Sequence, residues 1–264
     1  MRALALILCV GCTSFPNPSL PFATGSVGLP HHGVLTRGVP IENKSTGYER
    51  LRNDERAFGT RSMVATLQAA CAQVGTPIAP CVIADLSGPL GGALLPKHAS
   101  HRTGRDADVL FFVTDLNGRP VRSPGFVRFE KHGLGQGENG IWVRFDTARN
   151  WALVRALVSG SESQVEWIFV HPVIRDWLLR YAEGQRESID VRTRAQTVLG
   201  IAGGPKAPHD DHMHIRVSCT HDELGAGCIP SAATRDWVHT LPSPVAGATS
   251  DSTLAEALFG QGDS

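Results

Sequence analysis

The sequence lacks an excess of either charge: its 264 residues include 25 basic and 25 acidic side chains, so the formal net charge is zero. A protein that binds nucleic acid or an acidic membrane usually carries a basic excess, so neither partner is indicated. Charged residues are also few, at 19%, and 42% of the residues are hydrophobic. That composition excludes a disordered chain and is sufficient for the core of one main domain.

Long apolar runs are absent beyond the N-terminus, so the sequence predicts no transmembrane span. The first twelve residues combine one positive charge, a short apolar run and small residues. They resemble a secretory signal, and Val10-Gly11-Cys12 resembles a lipoprotein cleavage site that would make Cys12 a lipidated first residue and a possible lipid anchor. A trimmed or misassigned start is the alternative, because Cys9 stands where leucine is usual and the apolar run is short for a signal peptide.

Beyond the leader, Cys-x-x-Cys pairs are absent as well, which argues against a thiolate-rich structural zinc site. Four cysteines follow the leader, and an even number in an exported protein suggests two disulfides. Local pairing would join Cys219 to Cys228 and Cys71 to Cys81. Spacing alone does not establish this connectivity.

Histidine is the residue whose distribution is informative. Three imidazoles fall within the run His209 to His214, just before an Ile-Arg-Val stretch that predicts a strand. Side chains alternate between the faces of a strand, so His212 and His214 point the same way. Two such imidazoles can bind one metal ion or divide the roles of ligand and base. The alternative is that histidine is simply frequent, because the chain has 11 of them.

A second polar cluster favours the metal site. His101 and Asp108 are seven residues apart, Gly104 supplies a turn between them, and Asp108 opens the apolar run Val-Leu-Phe-Phe-Val. Three protein ligands and an open fourth position make a catalytic zinc site. The candidate ligands are His101, Asp108 and one histidine of the His212/His214 pair. The other histidine would serve as a base beside a metal-activated water, and the natural reaction is hydrolysis of an amide.

Apolar spacing predicts an α+β domain with a small, mostly antiparallel sheet that carries the zinc site and is flanked by helices. The predicted helices are residues 60–75, capped by Thr60 and stopped by Gly75, 147–158 and 172–181. The predicted strands are residues 81–85, 108–113, 141–145, 165–170 and 213–217. The glycine-rich loop 87–92 is interpreted as a turn beside the site, because a phosphate cradle would need a lysine and a following helix.

Five segments together resemble the penicillin-insensitive murein endopeptidases, in order and with compatible gaps from about residue 48 to residue 230. The segments are Asp85-Leu-Ser-x-Pro, Gly91-Gly92, His98-Ala-Ser-His101-x-Thr-Gly-x-Asp106-x-Asp108, Ile168-Phe-Val-x-Pro172 and His209-x-x-His212-Met-His214-Ile-Arg-Val-x-Cys219. The family belongs to a wider group of zinc peptidases with lysostaphin-type and D-Ala-D-Ala peptidases. The resemblance implies a hedgehog/DD-peptidase-like fold and one Zn²⁺ per chain.

The resemblance also assigns roles to residues. It implies that His101, Asp108 and His214 bind zinc and that His212, with His209, is catalytic. His98 and His209 would line the pocket, and Asp85 would help to orient it. Asp106 is either a carboxylate that fixes a ligand imidazole or a solvated charge at a strand end.

The resemblance further implies cleavage of D-alanyl-meso-diaminopimelate cross-links between peptidoglycan stem peptides, in the periplasm of a Gram-negative bacterium. Penicillin would not inhibit such an enzyme, and the sequence has neither Ser-x-x-Lys nor Lys-Thr-Gly. Two alternatives are a zinc D,D-carboxypeptidase that trims stem termini and an inactive metal-binding wall-binding module. Departures from the family lie before residue 48, in residues 119–140 and in the smaller cysteine set.

The predicted organisation has four parts. Residues 1–12 form a signal peptide of possible lipoprotein type, and 13–47 an extended arm or linker. Residues 48–240 form the zinc peptidase domain, and 241–264 a mobile tail, because that segment is rich in small residues and proline.

Overall fold

The computed structural model describes residues 25–92, 99–159, 164–201, 208–232 and 235–238. The predicted leader with Cys12, the predicted tail 241–264 and His98 lie outside these residues. Within the described chain, no helix is both long enough and apolar enough to cross a membrane.

Short strands alternate irregularly with helices. The strands are β1 (Gly25–Leu29), β2 (His32–Thr36), β3 (Val39–Pro40), β4 (Lys44–Ser45), β5 (Tyr48–Arg50), β6 (Phe58–Gly59), β7 (Cys81–Ile83), β8 (Asp106–Leu110), β9 (Val113–Thr114), β10 (Pro120–Val121), β11 (Leu134–Gln136), β12 (Trp142–Phe145), β13 (Val165–Phe169), β14 (Leu199–Gly200) and β15 (His212–Val217). The helices are α1 (Arg61–Val74), α2 (Thr147–Ser159), α3 (Pro172–Gly184), α4 (Ile189–Val198) and α5 (His221–Gly225).

The central sheet has seven strands in the order β14-β13-β15-β8-β7-β5-β4. Among these strands, the pairs β13/β14 and β5/β7 are parallel and the other pairs are antiparallel. The predicted α+β class and the mostly antiparallel pairing are therefore confirmed. The sheet is larger than the small sheet that we predicted, because β4, β5 and β14 extend it at both edges.

The first helix shows why the sequence folds as it does. The Thr60 side chain accepts a hydrogen bond from the backbone N–H of Met63, and Gly75 ends the helix, as predicted. Met63, Leu67 and Cys71 lie one turn apart and are all buried, so one face of α1 packs into the core. Helices α1 to α4 pack on one another around this core.

The segment predicted as an arm is described from residue 25. Strands β1 and β2 form a hairpin, β3 pairs with β6, and β4 pairs with β5 in the central sheet. The hairpin is also hydrogen-bonded to the chain after α5, where the Gly28 N–H donates to the carbonyl oxygen of Gly227. This segment therefore packs on the domain through the β3/β6 and β4/β5 pairings and through the hydrogen bond of Gly28.

One of the two predicted disulfides is present. Cys219 and Cys228 are bonded and close a short loop directly behind β15. The predicted bond between Cys71 and Cys81 is not formed, because both are free thiols. Both side chains are fully buried, where a thiol packs like a small apolar group. Burial and the contact with Cys81 raise the pKa of the Cys71 thiol.

Candidate metal centre

Two neighbouring strands bring the two predicted clusters together. Strands β8 and β15 are antiparallel, and their register places Asp108 opposite His214 and Asp106 opposite Arg216. Alternate residues of a strand share a face, so these four polar side chains belong to one face of the sheet. The centre is thus assembled by pairing strands about a hundred residues apart in sequence.

His101 comes from the loop before β8. Its backbone is in the left-handed region, with φ of 64°, and its N–H donates to Oδ2 of Asp106 at 3.3 Å. The following turn is held by the Gly104 N–H, which donates to Oγ of Ser87 at 2.9 Å. These bonds hold the loop in a conformation that a non-glycine residue rarely adopts.

The three predicted ligands converge. His101, Asp108 and His214 are all buried, and one potential ligand atom from each lies within 4.8 Å of the others. Nε2 of His101 lies 3.3 Å from Oδ1 of Asp108, and Nδ1 of His214 lies 3.0 Å from the same oxygen. The two imidazole rings are nearly perpendicular, with centroids 4.8 Å apart.

The two remaining histidines border this group. Nε2 of His212 lies 3.4 Å from Oδ1 of Asp108, while its Nδ1 lies 2.6 Å from Oδ1 of Asp211. The His209 ring lies 5.2 Å from the rings of both His212 and His214, between centroids. Its backbone is also left-handed, with φ of 47°. His209, His212 and His214 form a second set whose nitrogens are close enough to hold a metal ion.

Asp106 lies behind the centre and not in solvent. It is fully buried, and its Oδ1 lies 2.9 Å from Nε2 of His214 and accepts a hydrogen bond from Nε of Arg216 at 2.6 Å. Burial alone would raise its pKa, but Arg216 and His214 outweigh burial and hold the pKa of Asp106 far below its usual range. A permanent carboxylate at this place fixes the ring orientation of His214.

The charges of the centre are strongly coupled. Burial would raise the pKa of Asp108, but His101 and His212 lower it well below its usual range. Burial would lower the pKa of His212, but Asp108 and Asp211 raise it to about 10. Burial would also lower the pKa of the ligand His214, but Asp106 and Asp108 raise it. Without a metal ion, a proton therefore occupies an imidazole that a cation would use, so the two must compete.

Asp85 contributes mainly through its backbone. Its carbonyl oxygen accepts a hydrogen bond from the Asp108 N–H at 2.8 Å, which continues the pairing of β7 with β8. Its carboxylate is buried and accepts from Nη2 of Arg52 at 2.6 Å, with Nη1 of Arg56 at 3.2 Å. Asp85 therefore stabilises the strand that carries the central carboxylate.

Sequence reasoning missed four residues around the centre. Arg216 holds Asp106, and Asp211 contacts His212. Phe126 packs edge-on against the His212 ring, with centroids 5.4 Å apart, and Arg128 lies beside Asp211. Only Arg216 had a visible signal, because it follows His214 by two residues and must share its face.

The donor set suits zinc. Two imidazole nitrogens and one carboxylate oxygen are ordinary zinc ligands, and three protein ligands leave a fourth position for water or substrate. Thiolate-rich zinc sites are usually structural, with all four positions filled, and all-oxygen sites favour Mg²⁺, Ca²⁺ or Mn²⁺. The chemistry of His101, Asp108 and His214 thus fits a catalytic rather than a structural ion.

Comparison of the sequence with known proteins identifies a matching protein family. Residues 26–236 match the family model described as penicillin-insensitive murein endopeptidase. A protein of that name from Shigella sonnei (strain Ss046) is 26% identical over 240 residues, which cover 84% of this chain and 79% of the relative. Another, from Escherichia coli O139:H28 (strain E24377A / ETEC), is 26% identical over 213 residues, covering 78% of this chain and 70% of the relative.

Proposed function

Since the chain belongs to the penicillin-insensitive murein endopeptidase family, we propose that it is a zinc-dependent peptidase that cleaves the peptide cross-links of peptidoglycan. The observation that carries this proposal is the convergence of His101, Asp108 and His214 in one buried group within 4.8 Å. The resemblance names the bond as D-alanyl-meso-diaminopimelate. The periplasm and a hedgehog/DD-peptidase-like fold belong to the same proposal, and lipidation of Cys12 stays a prediction.

Each residue has a separate role in the proposal. His101, Asp108 and His214 would hold one Zn²⁺, which would supply the Lewis acidity that activates water and polarises a carbonyl. His212 takes the proton of the attacking water at Nε2 and delivers it to the leaving amide nitrogen. Its Nε2 already faces the central carboxylate at 3.4 Å. His209, whose ring contacts both strand histidines, forms one wall of the pocket.

The direct test is digestion of purified sacculi, followed by separation of the muropeptides. An endopeptidase converts cross-linked dimers to monomers, and this conversion should stop when the metal is removed by a chelator and resume with zinc. Release of free D-alanine from monomers, with dimers unchanged, would instead identify a D,D-carboxypeptidase. If the zinc-loaded chain digests nothing, the proposed hydrolase activity is wrong and the wall-binding module remains as the alternative.

The matched variants are His101→Asn and His132→Asn. Asparagine tolerates the left-handed backbone of position 101 better than alanine does, so this substitution removes the imidazole with little added strain. His132 is exposed, in the turn between residues 130 and 133. We expect H101N to lose both bound zinc and digestion, while H132N keeps both. Full digestion by H101N would contradict the proposal.

A further inference from the structure

The two histidines of β15 are each backed by a carboxylate on the side away from the centre. Nε2 of His214 lies 2.9 Å from Asp106, while Nδ1 of His214 faces Asp108. In His212 the roles of the nitrogens are reversed: Nδ1 lies 2.6 Å from Asp211, while Nε2 faces Asp108. Each ring therefore has one nitrogen held by a carboxylate and the other pointing at the centre.

Regular strand geometry does not produce the contact between Asp211 and His212. Consecutive side chains in a strand point to opposite faces, so neighbours in sequence do not normally touch. Asp211 lies just before β15 begins at His212, and the chain reaches it through the left-handed residue His209. The loop therefore turns the Asp211 carboxylate back onto the ring that follows it.

An arginine completes each arrangement, but the two differ in burial. Arg216 donates to Asp106 at 2.6 Å and keeps only 11% of its side chain exposed. Arg128 is 71% exposed, with its Nε 3.3 Å from Asp210 and 3.9 Å from Asp211. The His214 arrangement is thus fixed in the core, while that of His212 lies at the solvent edge and can adjust to a substrate.

We propose that Asp211 is a positioning residue that holds His212 in the tautomer with Nδ1 protonated and turns Nε2 toward the reacting peptide bond. A carboxylate accepts and does not donate, so its partner Nδ1 must carry the proton. Nε2 then keeps its lone pair for the centre. This inference deepens the proposed function, since it rests on His212 acting in the hydrolysis.

The first test reads the tautomer and needs no substrate. The full chain, loaded with zinc and labelled with ¹⁵N-histidine, is compared by NMR with Asp211→Ala and with the matched control Asp210→Ala. We expect His212 of the wild type and of D210A to show a protonated Nδ1, and D211A to lose that signature. An unchanged His212 spectrum in D211A would overturn the inference.

The second test is kinetic, on a cross-linked muropeptide dimer. We expect D211A to lower kcat on the order of 10²-fold, with KM and bound zinc unchanged, and D211E to recover most of the loss. The D210A variant should stay within about two-fold of wild type, because its carboxylate pairs with Arg128 and has no contact with His212 among the described ones. Equal losses in D210A and D211A, or loss of zinc in D211A, would overturn the positioning role.

The two tests separate this inference from the function itself. If the wild-type chain does not cleave the dimer, the proposed function fails, and the NMR comparison still decides whether Asp211 sets the tautomer of His212. If the wild type cleaves and D211A cleaves equally well, the function stands and the positioning role fails.

Discussion

At the scale of single residues, the sequence indicated the candidate metal ligands more clearly than the carboxylates that hold the histidines in place. Residue types and spacings predicted His101, Asp108 and one histidine of the His212/His214 pair as ligands, and the family resemblance named His214. The structure brings His101, Asp108 and His214 together. The role of Asp106 stayed open, because sequence does not tell a buried carboxylate from an exposed one at a strand end. The role of Asp211 could not be predicted for another reason. Its contact with His212 depends on a local turn of the chain, and no periodic pattern in the sequence encodes that turn.

The burial of Asp106 leads to a prediction about metal affinity. In Asp106→Asn, one amide oxygen must replace an acceptor that serves both His214 and Arg216, while the amide NH₂ would face the His101 N–H. Loss of such an outer carboxylate typically weakens metal binding 10–100-fold. Competition with a chromogenic chelator measures this, with Asp176→Asn as the exposed control. Equal zinc affinity in D106N and wild type would contradict a supporting role.

At the scale of elements, capping and amphipathic spacing predicted the helices that carry the core. The predicted helices 147–158 and 172–181 appear as α2 and α3, and the cap at Thr60 is present. Helix α4 was missed because only Ala195 and Val198 of its ten residues are buried, so it has no apolar stripe. The hairpin β1–β2 was missed because its anchoring residues lie far away in sequence.

Arg105 is the main anchor of that hairpin, which gives a prediction about stability. It is fully buried, pairs with Glu166 at 3.2 Å, and donates to Oγ of Ser26 in β1 and to the carbonyl of Ile229. Removing one partner of a buried ion pair typically costs about 3–5 kcal/mol. Arg105→Met should therefore lower the free energy of unfolding in urea by that amount.

The control for Arg105 is an exposed pair. Arg180 and Asp176 are one helical turn apart on α3, and such a pair contributes about 0.5 kcal/mol or less. Arg180→Met should therefore unfold almost as the wild type does. A double variant R105M/E166L should recover part of the R105M loss, because it leaves no unpaired charge in the core. Similar small effects for R105M and R180M would show that the buried pair does not anchor the hairpin.

The loop after β15 gives a second prediction at this scale. The Cys219–Cys228 bond spans nine residues of sequence separation, for which loop-closure entropy predicts about 2.5 kcal/mol of stabilisation. Cys219→Ser/Cys228→Ser should lose that amount in urea unfolding, and a reductant should destabilise the wild type equally. The doubly substituted chain should not respond to reductant, because Cys71 and Cys81 are free thiols. A response would reveal a second disulfide.

At the scale of the whole molecule, folding gathers negative carboxylates and several imidazoles where a cation would balance them. The sequence predicted the strands that carry these side chains, but it did not predict the order of the strands. The centre forms only when the seven-stranded sheet pairs β8 with β15 and places β7 beside β8. Sequence patterns give strands and faces, whereas strand order depends on the packing of the entire core. The metal-free chain compensates with protons on its histidines, which makes its stability depend on pH.

The sign of that dependence follows from His212. Its pKa is raised to about 10 in the folded chain, whereas an unfolded histidine titrates near ~6.5. Between these values the folded chain binds more protons, so the stabilisation present below ~6.5 is lost as pH rises toward 10. Burial would lower the pKa of the proposed ligand His214 too, but Asp106 and Asp108 raise it. Zinc requires this imidazole to be neutral, so its binding releases a proton and strengthens with pH. The stability that zinc adds should therefore grow across the window in which the metal-free chain weakens.

Thermal unfolding of the metal-free and zinc-loaded chain from about pH 6.5 to 8.5 tests this expectation. The melting temperature without metal should fall with pH, and its separation from that of the zinc-loaded chain should widen. His212→Gln should make the metal-free curve less steep, since it removes the proton that Asp108 and Asp211 retain, while His132→Asn should leave it unchanged. A metal-free curve that is flat in the wild type would mean that the carboxylates of the centre do not hold a proton on His212, and that a cation meets no competition there.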